Sequence, residues 1–111
     1  MLAAAQSFRV DCYVVDVLMR DLVGHDHSPA AFLVFMLIWR HTRGTNGRGT
    51  GTRLSHRQIA LEIGLSKSAV QQALRTLHRR GLVISTQRHR TDVPEHRVVR
   101  LWAHRATPAA H

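Results

Sequence analysis

The chain has 111 residues, with 16 Lys and Arg against 7 Asp and Glu, a formal charge of +9. Its 44% hydrophobic content is enough for the core of one small domain and excludes wholesale disorder. A single cysteine excludes an internal disulfide, and the longest apolar run, Ala30 to Trp39, is too short to span a bilayer. The N-terminus lacks the basic segment and long apolar core of a signal peptide, so a cytoplasmic, nucleoid-associated location is expected.

Phe8 to Cys12 alternates apolar and polar residues, which predicts a short strand. Tyr13 to Val23 reads as a helix with Val14, Val15, Leu18, Met19 and Leu22 on one broad apolar face. Cys12 is expected as a small buried hydrophobe. Ser28 suits an N-cap and Pro29 the first helical position, opening a helix to His41 that is apolar around most of its surface, with Trp39 in the core. Gly44 stops it. The glycine-rich run that follows, Thr45 to Thr52, reads as a connection. It is a poor phosphate loop, because Gly47 to Thr52 lacks the lysine and no buried strand precedes it.

Leu54 to Leu82 carries the most specific pattern. Ser55 caps a helix from His56 to Ile63, Gly64 ends it, Leu65 plugs the turn, and Ser66 caps a second helix from Lys67 to Arg80, which Gly81 ends. Ala60 is small where the helices cross, Gly64 makes the turn, and Val70 packs back between them. With Ala73, Leu74 and Leu77 on the inner face of the second helix, this is helix-turn-helix spacing. Leu82 to Gln87 and Arg97 to Ala103 read as two strands around a turn at Asp92 and Pro94, with Trp102 near the end of the second strand. The expected class is mainly α with a small β-hairpin: a winged helix-turn-helix over residues 28–103, an N-terminal extension over 1–27, and a flexible tail over 104–111.

The charge is unevenly divided. Residues 1–26 hold Arg9 and Arg20 against four aspartates, a balance of −2, and residues 27–111 carry +11. No acidic residue falls between Glu62 and Asp92, a stretch that covers the second helix and the start of the wing. An anionic polymer is the partner this surface suits. Removing the core positions leaves Ser68, Gln71, Gln72 and Arg75 as candidate base readers, since Gln pairs with adenine and Arg with guanine through two bonds each. Arg53, Ser55, His56, Arg57, Lys67 and Arg79 are candidate phosphate contacts, and Arg88, His89, Arg90 and Arg97 are candidate wing contacts. His56, His78, His89 and His96 would add charge there when protonated.

The stretch Leu54 to Val83 resembles the core of the bacterial winged helix-turn-helix proteins, which MarR- and GntR-type repressors share. The Ser28–Phe32 opening, long helix and Gly-rich loop resemble a subgroup in phage and plasmid replication proteins and small regulators. The resemblance covers residues 28–103 and implies a transcriptional regulator that binds double-stranded DNA. The alternatives are a plasmid or phage replication or partition accessory module that binds DNA and a protein partner, and an interaction module without a DNA role. Self-association through residues 13–42 is expected, because these apolar elements exceed what a minimal winged helix needs. No cofactor, metal or catalytic site is expected: His25 and His27 lack further ligands at helical spacing, and the carboxylates are scattered.

Overall fold

The computed structural model describes residues 6–42 and 51–106, with side chains described as far as Ala103. Residues 6–11 form no regular element, so the strand expected at Phe8–Cys12 is not formed. The chain turns helical at Cys12, which is exposed rather than buried. This N-terminal helix contains two wide π-type turns, Val14–Leu18 and Asp21–His25, closed by bonds from Met19 N–H to Val14 O and from Asp26 N–H to Asp21 O. The widening suits the pattern. Val14, Leu18 and Leu22 recur every four residues, and at 3.6 residues per turn such a row drifts by about 40° per step. Wider turns reduce the drift, and all three side chains are buried.

His27 then adopts a left-handed backbone, φ +52°, and Ser28 N–H reaches back to Leu22 O at 2.7 Å. Ser28 Oγ accepts from Ala31 N–H and opens α1, Pro29–His41, with proline at the start. Ala31, Val34, Phe35, Ile38 and Trp39 are buried, while Leu33 and Arg40 stay exposed. α1 lies between the N-terminal segment and the helix-turn-helix, α2 His56–Ile63 and α3 Lys67–Arg79.

The sheet has three antiparallel strands rather than two: β1 Thr52–Arg53, β2 Val83–Thr86 and β3 Glu95–Val98, in the order β1-β3-β2. Val83 faces Val98 and Ser85 faces His96 across the hairpin, while Thr52 pairs with His96 on the other edge. The returning strand expected over Arg97–Ala103 is shifted: it begins at Glu95, ends at Val98, and gives way to α4, Leu101–Ala106. Trp102 therefore sits on a helix. The glycine-rich connection falls largely outside the described residues, but its end, Gly51, passes tightly over β3. A Cβ there would lie 2.7 Å from His96 O and 2.9 Å from Glu95 Cγ, so the chain can pass only without a side chain.

The N-terminal segment is tied into the body through its acids. Asp11 Oδ2 accepts from Arg100 Nε at 2.9 Å and from Trp102 Nε1 at 2.7 Å. Tyr13 stacks on Trp102, and Trp39 Nε1 donates to Arg9 O at 2.7 Å. Asp21 and Asp26 pair with Arg80 at 3.3 and 2.8 Å. Three of the four N-terminal aspartates thus act as internal counterions for Arg80 and Arg100. Part of the apolar face assigned to self-association is internal as well, since Val14, Leu18 and Leu22 fill the core; Val15, Met19 and Val23 remain exposed.

Candidate nucleic-acid interface

The first helix of the motif starts with a reciprocal cap. Ser55 Oγ accepts from Gln58 N–H at 3.0 Å, and Gln58 Oε1 accepts from Ser55 N–H at 2.9 Å. Ile59 and Ala60 are buried, and Gly64 leaves the helix with φ +91° while its N–H and that of Leu65 both bond Ala60 O. Ser66 Oγ then accepts from Ala69 N–H at 3.1 Å to start α3. That helix buries Val70, Ala73, Leu74 and Leu77, and Arg80 caps its end before Gly81 turns the chain at φ +71°. Burying that row fixes the rotation of α3: Lys67, Ser68, Gln72, Arg75 and Arg79 are exposed, and Gln71 is half-buried on the flank.

Three side chains, Gln87, Asp92 and Arg53, hold the wing in shape. Gln87 Nε2 donates to the carbonyls of His89, Arg90 and Asp92 at 2.9–3.2 Å, and Asp92 Oδ2 accepts from His89 N–H at 3.1 Å. Arg88, His89 and Arg90 project from this tip, and all are exposed. Arg53 Nη1 donates to Val93 O at 3.1 Å, bracing the return of the wing from β1. Arg97 is exposed on the outer face of the sheet, which it lines with Ile84, Thr86 and Glu95. Between the starts of α2 and α3 and the wing tip lies a cleft of about 330 Å³, bordered by Ser55, His56, Arg57, Lys67, Arg90 and one acidic residue, Asp92. Three elements thus bring cationic side chains and two helix N-termini to one opening, an arrangement that attracts phosphate.

The model of the IclR helix-turn-helix domain matches residues 48–85. That span, about a third of the chain, contains β1, α2, α3 and most of β2. It coincides with the motif described above and supports a helix-turn-helix DNA-binding regulator, without singling out the MarR or GntR type. No curated protein matches the chain. Among the described residues, no helix is long and apolar enough to cross a membrane.

Three histidines differ from expectation. His96 is buried, not a surface charge: its Nε2 lies 3.0 Å from Leu54 O and its Nδ1 2.7 Å from Ser85 Oγ. Burial pushes its pKa down, opposed by the bond to the Leu54 carbonyl and assisted by His56 and His78. His78 lies 2.7 Å from the same Ser85 hydroxyl, and desolvation lowers its pKa too. His56 is lowered by desolvation, then by Lys67 and His78. In all three rings desolvation disfavours the charged form. A strand-period signal was available for His96: counting back two from the inward-facing Val98 places His96 inward.

Proposed function

We propose that this protein is a sequence-specific regulator of transcription that binds double-stranded DNA as a homodimer. The observation that carries this reading is the acid-free outward face of α3, which stands beside a cationic cleft shared with α2 and the wing. Ser68, Gln71, Gln72 and Arg75 read base edges in the major groove. Arg57, Lys67, His56 and Arg79 hold phosphates, as does Ser55, whose hydroxyl proton is still available once its oxygen caps α2. Arg53, Arg88, His89, Arg90 and Arg97 hold the adjacent backbone from the wing side.

Pairing of two copies is supported by the exposed row Val15, Met19 and Val23 and by exposed Leu33 on α1, all on the side of the chain away from the motif in sequence. Two copies would present half-sites about 10 base pairs apart. The test is duplex binding across a salt series, with the oligomeric state read by ultracentrifugation. Affinity falls steeply with salt as counterions are released, and the bound species contains two chains. Binding that ignores salt, or a monomer saturating the site, contradicts the respective half of the reading.

A further inference from the structure

The polar chain beneath the wing has a direction. Leu54 O can only accept, so His96 Nε2 carries its proton and donates. In a neutral ring Nδ1 is then an acceptor, so Ser85 Oγ–H donates to it. The Ser85 oxygen is left to accept from His78 Nε2–H. Every donor therefore points from α3 through β2 and β3 to the start of α2, and the neutral His78 ring has a bare Nδ1 at the exposed end of the chain.

We propose that His78 is a DNA-backbone contact, positioned by Ser85 and His96, which takes up one proton from solvent at Nδ1 as the duplex docks. This inference rests on the DNA reading above. Protonating Nδ1 breaks none of the bonds in the chain, because His78 already donates through Nε2. The new cation sits at the donor end, where it strengthens the bond to Ser85. It also supplies an N–H for a phosphate oxygen. Desolvation disfavours the charged ring without DNA, and the groups around it offer no compensating charge. Ser85 approaches from β2, His96 from β3 and His56 from the start of α2. Among the described residues no carboxylate bonds these three side chains: Glu95 lines the opposite face of the sheet with Arg97, and Asp92, across the cleft from His56, accepts from His89 N–H. Phosphates laid over this side supply the missing negative charge and draw the proton in.

The test is fluorescence anisotropy of a labelled mixed-sequence duplex at fixed ionic strength, between roughly pH 6 and pH 8. Wild-type affinity falls as pH rises, by up to about tenfold per pH unit where one linked proton is released. His78→Gln has a flatter slope, its loss of affinity growing toward the low end, whereas Arg57→Ala weakens binding at every pH and keeps the slope. Ser85→Ala, which retains the imidazole but frees it, also flattens the slope, and Ser85→Thr restores it. Because Ser85→Ala perturbs the hairpin, the His78 ring is also followed in the wild type by NMR with and without the duplex; its titration moves upward on binding. A wild-type slope in His78→Gln, or an unmoved titration, overturns the proposal. A wild-type chain that binds no duplex at any pH overturns instead the DNA reading beneath it.

Discussion

Replacing Asp11 by Ala removes the one carboxylate oxygen that serves both Arg100 Nε and Trp102 Nε1, at 2.9 and 2.7 Å. The side chains of Asp11 and Arg100 are 22% and 17% exposed, so the stranded guanidinium is rehydrated only in part. A hydrogen bond to a charged partner contributes about 1.5–3 kcal/mol, and a donor left buried carries a similar penalty. With Arg100 Nε and Nη2 and Trp102 Nε1 sharing one acceptor and some water access, the expected loss is about 2–3 kcal/mol. Unfolding entropy near 2.1 cal/mol/K per residue makes each kcal/mol about 4 °C in Tm at this size, so Tm falls by roughly 9–13 °C. Thermal denaturation followed by circular dichroism measures it. Asp11→Asn, which keeps a neutral acceptor for Trp102, loses about half as much. Removing Arg100 together with Asp11 recovers part of the loss, because the unpaired charge is what costs most. A fall below about 3 °C for Asp11→Ala would refute the view that the N-terminal segment is clamped to the body through this carboxylate.

Gly64→Ala forces a side chain into φ +91° with open space around it, so the cost is backbone strain alone, about 1–2 kcal/mol in chemical denaturation. Asp26 is held below its ordinary 3.8 first by the bond from His25 and then by Arg80, against desolvation. Its contribution is full above that ordinary value and is lost as pH falls through the lowered one. The stability gap between wild type and Asp26→Asn therefore narrows as pH falls below the ordinary 3.8 in urea unfolding. For His96 the unfolded ring binds a proton first, near 6.5, while the buried ring resists it. Stability is thus full above roughly pH 6.5 and declines below it, and His96→Gln, though less stable, shows a shallower decline; an equal decline would contradict the burial argument.

The helix-turn-helix was legible because each of its signals is local. Ser55, Gly64, Ser66 and Val70 act within one or two turns of their own helices, and the structure places all four as their chemistry requires. The sheet was legible only in part. β1 has two residues, too few for a periodic pattern, and exists because Gly51 lets the chain approach β3. Val99 to Ala103 looked like strand by its valine and tryptophan, yet Trp102 is claimed by stacking on Tyr13 and by Asp11, which lies 91 residues away in sequence. The N-terminal acids looked like a separate, slightly acidic element for the same reason: their partners, Arg80 and Arg100, are distant along the chain. The directed chain from His78 to Leu54 likewise joins four segments that no local pattern connects.

Selection of bound duplexes from a random pool by the full chain, repeated with Arg75→Ala and Arg57→Ala, tests the central claim most directly. The wild type enriches a defined motif. Arg75→Ala enriches a relaxed one, with preference lost at a single base pair at about 1–3 kcal/mol, and Arg57→Ala enriches the same motif as the wild type with uniformly weaker retention. Retention of no duplex above background at low salt, or an identical uniform loss in both variants, would contradict α3 as the element that reads sequence.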